Sequence, residues 1–173
     1  MGRGLRRLAL TAHVVASVGW FGAVAAFLAL AVVGLTSPDG QVVRAAYIGL
    51  ALTGWMVIVP LSLASLLTGI VQSLGTAWGL FRQWWVVAKL VITVPATVLL
   101  LIHMGPINHV AGVAATTTLS SGDLVQLRVQ FVAQAGAALL VLLVATILSV
   151  YKPRGRTPYG LRKQREQRAA SQP

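Results

Sequence analysis

Apolar positions along this chain gather into four long runs, and polar residues are confined mainly to the gaps between them. The runs lie at about 8–35, 45–74, 84–104 and 129–151. Each supplies the ~20 residues a helix needs to cross the hydrocarbon core. The pattern predicts an all-α, polytopic four-helix transmembrane bundle over 1–159, followed by a basic tail at 160–173. The first gap, TSPDGQVVR, carries Ser37, Pro38 and Asp39 as N-cap and first-turn chemistry for the second helix. The stretch 105–122, GPINHVAGVAATTTLSSG, is small and polar and predicts the longest connection. Ser120 with Asp123 forms a capping-box variant opening the fourth helix. Gln126, Arg128 and Gln130 precede that helix's clean apolar run, so it is expected to start above the membrane. Beyond Tyr151 the chain is charged, Pro/Gly-punctuated and without an apolar face, which predicts disorder past about Tyr159.

Composition narrows the class. Hydrophobic residues make up 57% and charged residues 10% of the chain, too little charge to cover a water-soluble domain. The first run is far longer than the ~15 residues of a signal-peptide core, so it reads as a retained helix. With no cysteine, disulfides and thiolate ligands are excluded. The net charge of +11 does not read as a nucleic-acid footprint once located. Arg3, Arg6, Arg7 and Arg82 flank spans, and seven more cations from Lys152 to Arg168 follow the last one, whereas the other two connections hold only Arg44 and Arg128. That bias places both termini and the 75–83 connection in the cytoplasm. It gives the tail anionic lipid headgroups as partners and no nucleic acid.

Trp78, Trp84 and Trp85 sit at the inner boundary, where amphipathic rings favour the interface, and Pro60 and Pro95 fall mid-span as expected kinks. Intramembrane ionisable residues are costly and therefore informative. His13 lies about 8 Å in from the inner end of the first run, and Lys89 about 8 Å in from the same end of the third. On the first helix Ala12, Ala16, Gly19, Ala23 and Ala26 form a small-residue seam, with His13 beside it and Ser17 and Trp20 above. Lys89 shares a face with Thr93 and Thr97. Ser65, Thr68, Gly69 and Gln72 descend to the same half, as do Thr146 and Ser149. Together these predict a polar pocket in the inner-leaflet half, with His13, Lys89, Ser17, Trp20, Gln72 and Thr93 as its candidate binding residues. His13 and Lys89 are the candidate catalytic groups, and His13 the candidate metal ligand. Two plainer readings stand beside this. Lys89 can snorkel to headgroup level, and His13 can serve as hydrogen-bonded packing glue. His103 is expected at the outer interface and His109 in an outer loop.

The same depths exclude some chemistry. His13 and His103 differ by about 20 Å in height and cannot share one haem. No run holds Asp or Glu, the usual proton carriers of transporters, because Asp39, Asp123 and Glu166 lie outside. Met56 and Met104 are not at the level of His13, as a copper site would need.

The first helix opens His13-Val-Val-Ala-Ser-Val-Gly-Trp20-Phe-Gly22, and the third reads Trp84-Trp85-Val-Val-Ala-Lys89. These resemble a group of small bacterial four-helix membrane proteins. The group includes the uncharacterised DUF2269 type, the CopD membrane domain and the four-helix protoporphyrinogen oxidase. Phe21 to Phe27 departs from the oxidase after the tryptophan, which sets the chain nearer the uncharacterised type. The resemblance implies a bacterial plasma (inner) membrane protein. Carried over from the oxidase, it implies haem b, with the functional roles falling on His13 and Lys89. Two other classes stay open: an accessory subunit binding protein partners or anionic lipid, and a small transporter acting as a homo-oligomer.

Overall fold

The computed structural model describes residues 2–75, 79–117, 124–151 and 155–170. Four helical spans among them are long and apolar enough to cross a membrane. The first is α1 (Arg3–Thr36). The second is α2 (Gly40–Thr53), a π turn (Gly54–Ile58) and α3 (Val59–Gly75), run end to end. The third is α4 (Trp84–Thr116) and the fourth α5 (Val125–Tyr151). Large apolar side chains face outward on every span, among them Val18, Leu67, Val91 and Leu140, each more than 60% exposed. An apolar exterior around a partly polar interior is what a lipid solvent selects. The chain is a multi-pass membrane protein built as an all-α bundle.

The spans run alternately up and down. The starts of α1 and α4 and the ends of α3 and α5 therefore share one end, here called the basic end for Arg3, Arg6, Arg7 and Arg82. α1 packs on α2, α3 and α5, and α4 packs on those same three helices, so α1 and α4 are diagonal partners. Residues buried on α1 are Ala16, Trp20, Ala23, Val24, Phe27, Ala31 and Gly34. The predicted small-residue seam is thus half right: Ala12 and Ala26 are exposed, because the buried face is centred on the Trp20–Phe27 side.

Local chemistry explains the joints. Asp39 caps α2, its Oδ1 accepting the Gln41 backbone N–H at 2.8 Å. The π turn, in which the Val59 N–H reaches the Gly54 carbonyl, precedes Pro60, whose ring removes a donor and crowds the preceding turn. This wider turn resets the helical phase before α3 presents Ser65, Thr68 and Gly69 to α1.

Three expectations are corrected. The third helix does not stop at Met104: α4 continues through Gly105-Pro106 to Thr116 and carries His109, exposed, on its surface rather than in a loop. Met104, Ile107, Val110, Ala111 and Ala114 are all buried, at the 3,3,1,3 spacing of one helical face. The side chain of Arg44, which is on α2 and not in a loop, donates to the Ala115 carbonyl at 2.6 Å and satisfies the helix end. Past Tyr159, where disorder is expected, the chain forms α6 (Pro158–Ala170). Thr157 is its N-cap, accepting the Gly160 N–H at 3.1 Å, and Pro158 takes the first helical position. The proposed Ser120–Asp123 capping box and Trp78 lie outside the described residues.

Candidate functional site

The basic half of the bundle encloses a cavity of about 110 Å³. α1 contributes His13, Ser17 and Trp20; α3 contributes Ser65, Gly69 and Ser73; α4 contributes Trp85, Lys89 and Thr93; α5 contributes Thr146 and Ser149. The diagonal helices α1 and α4 thus place an imidazole and an amine on one space. Of the six candidate binding residues, His13, Ser17, Trp20, Lys89 and Thr93 line it, and Gln72 does not. Gln72 lies further toward the basic end on α3, its amide nitrogen buried and without a hydrogen-bond partner among the described residues.

The imidazole is held from one side. His13 Nδ1 stands 3.1 Å from the Ser65 carbonyl and 3.1 Å from Thr68 Oγ1. The Thr68 hydroxyl proton goes to the Ala64 carbonyl at 2.6 Å, so its oxygen accepts. Both neighbours of Nδ1 are then acceptors. The neutral ring carries its proton there and leaves Nε2 as the nitrogen for a ligand or a proton. The packing-glue reading is therefore part of the answer, since α3 uses one nitrogen and not the other. Gly69 makes room for the ring: a Cβ at that position would stand 3.1 Å from His13 Cε1. Ser17 and Ser65 pair at 2.8 Å beside it.

Lys89 is half-buried, with Nζ 5.8 Å from the centre of the Trp85 ring, a cation–π contact worth roughly 0.5–2 kcal/mol. Thr93, Thr146 and Ser149 donate to carbonyls of their own helices at 2.8 Å each, so their oxygens keep free lone pairs. Among the described residues the cavity is lined by one ammonium, one imidazole and hydroxyl acceptors, with no carboxylate.

Beside it, toward the end of the bundle opposite the basic one, lies a second cavity of about 240 Å³, walled by Val24, Phe27, Leu99, Leu100 and Phe131. His103 and Gln134 are the polar groups on it. His103 is not at a helix end; it is inside α4 with Nδ1 2.6 Å from the Leu99 carbonyl. Trp20 and Leu142 line both cavities and form the partition between them.

Haem b is tested by size. Pockets for drug-sized molecules enclose ~300–1,000 Å³, and a porphyrin ring does not enter 110 Å³ unless the helices part. His13 also lacks company as a metal ligand, because no group of three His, Cys, Asp or Glu side chains occurs among the described residues.

Sequence reasoning missed Arg128. Expected on the part of the fourth helix above the membrane and counted with the connection cations, it is on α5 as expected but 2% exposed, at the far end of the bundle. It donates to the Gly34 carbonyl at 2.6 Å and to Tyr47 Oη at 2.9 Å, so three spans meet on one guanidinium. The available signal was its place one turn before Val132, on the face of Phe131 and Ala135.

No family model, curated protein or solved structure matches the chain.

Proposed function

We propose that this chain is a membrane-embedded binding protein for a small lipophilic anion. Its charged end lies between Lys89 and His13, and its apolar remainder in the chamber beyond Trp20. One observation supports this most: the cationic polar cavity and the apolar cavity share Trp20 and Leu142 as a common wall. Neither volume alone reaches the ~300 Å³ lower bound for small-molecule pockets, and the two joined do. Lys89 supplies the charge, and His13 Nε2 accepts a hydrogen bond or a proton from the ligand. The helix-one histidine and helix-three lysine of the resemblance are the pair invoked, and we keep the kinship to the DUF2269 type as part of the proposal. The same reading sets the basic end in the cytoplasm of a bacterial-type plasma membrane, on the Lys and Arg bias.

The test is a titration of the purified protein in maltoside micelles with dodecanoate and with dodecanol, followed through tryptophan fluorescence, since Trp20 and Trp85 line the cavity. Dodecanoate is expected to bind about tenfold more tightly than dodecanol, a difference of about 1.4 kcal/mol, and Lys89→Gln to erase the preference. Equal binding of acid and alcohol by the unmodified protein sinks the reading. So does a Soret band in the purified protein that vanishes in His13→Ala and survives His103→Ala.

A further inference from the structure

At the basic end, α6 folds back onto the entry to α4. Gln83 and Arg156 form an isolated antiparallel bridge. The Thr157 N–H donates to the Arg82 carbonyl at 3.1 Å, the Trp84 N–H donates to the Gly155 carbonyl at 3.3 Å, and the Thr157 hydroxyl donates to the Phe81 carbonyl. Gly160 is buried against Arg82 so closely that a Cβ would collide with the Arg82 carbonyl oxygen. The junction borders an open cavity of about 400 Å³ lined by Arg82, Arg156 and Arg168 together with Gln83, Gln164 and Gln167.

Its chemistry is one-sided. Three guanidinium groups and three carboxamides surround the space, and among the described residues no acid lines it. The single acid of α6, Glu166, is occupied by Arg162 at 3.3 Å and Lys163 at 3.1 Å. Gly160, Gln164, Gln167 and Arg168 recur at the 4,3,1 spacing of one helical face, and Arg162, Lys163 and Glu166 are outside that set. Guanidinium forks match phosphate oxygens in pairs of parallel hydrogen bonds. Trp84, 56% exposed, is the residue next to Gln83 at the start of the span, where tryptophan marks the headgroup layer.

We propose that this arginine–glutamine pocket is a binding site for a phosphate group. Its location at the membrane boundary favours the phosphomonoester headgroup of a lipid as the source. The volume agrees, because it lies in the ~300–1,000 Å³ range of small-molecule sites and exceeds what a bare phosphate fills. The site is independent of the His13–Lys89 cavity.

The experiment is native mass spectrometry of the full-length protein in maltoside micelles with dihexanoyl-phosphatidic acid. One bound lipid is expected, and Arg82→Gln/Arg156→Gln/Arg168→Gln should weaken its binding more than tenfold. Arg162→Gln/Lys163→Gln/Arg165→Gln removes the same charge off the pocket and should change it less than twofold. Gln164→Glu/Gln167→Glu leaves every arginine in place and should also abolish binding, which separates site chemistry from a misfolded helix. Competition by equimolar inorganic phosphate would assign the site to free phosphate, and its absence to lipid; either keeps the phosphate site. Equal loss in the two triple variants, or full binding by the double glutamate variant, would show diffuse attraction to the basic surface and overturn it.

Discussion

Arg128 carries the largest residue-scale consequence, because a guanidinium taken out of water must have its donors met. Tyr47→Phe deletes one acceptor while keeping the ring under the charge, and is expected to cost about 1–3 kcal/mol of stability. The readout is a lower midpoint in thermal unfolding in detergent. Gln72 predicts the opposite sign: replacing its amide, whose buried nitrogen has no partner among the described residues, with Met at similar volume should raise that midpoint. An unchanged or lower value would mean that the amide has a partner beyond the described residues. Gly69→Leu fills the space that His13 occupies, so it should abolish dodecanoate binding while the helical circular dichroism stays intact. At this scale the sequence was a good guide to His13 and Lys89, since an ionisable group in an apolar run is conspicuous. It was a poor guide to Arg128, which looks like any boundary cation until its neighbours are known.

Among the elements, α4 and α6 depart most from expectation. Gly105-Pro106 looks like a stop, yet Ile107, Val110, Ala111 and Ala114 keep helical spacing beyond it and are buried. Amides of residues 109–116 should therefore exchange as slowly as those of helix interiors, and Arg44→Gln should speed exchange in the last turn. Fast exchange throughout 109–116 would restore the loop. In α6, the hydrogen bond from Lys163, and after it that cation's charge, hold the Glu166 carboxyl below its ordinary range. A depressed acid contributes stability above its unfolded value and loses it as pH falls through the folded one. The helical signal of α6 should therefore weaken only under acid conditions below the usual glutamate range. The effect is small because the pair lies at the surface, where water screens it.

Taken as a whole, the molecule is a bundle with a different chemistry at each level: a basic phosphate pocket, then a cationic polar cavity, then an apolar chamber, then the Arg128 lock. Gly160→Val should detach α6 from the bundle by driving a side chain into the Arg82 carbonyl. Trypsin should then cleave at Arg162 to Arg168 several-fold faster, with the unfolding midpoint of the spans unchanged. A simultaneous fall of that midpoint would mean that α6 belongs to the cooperative core.

Chain order, span number and the matching heights of His13 and Lys89 follow from run lengths and the 1.5 Å rise, which are local properties of a helix in lipid. Other features depend on which helix stands beside which. The diagonal pairing of α1 with α4 makes equal heights into a shared cavity, and that cavity is smaller than a porphyrin ring. Contact with α2 keeps α4 helical past a Gly-Pro step, and closure by Gly34 and Tyr47 makes Arg128 interior. Burial and cavity volume are relations between segments distant in the chain, so no single stretch of residues contains them.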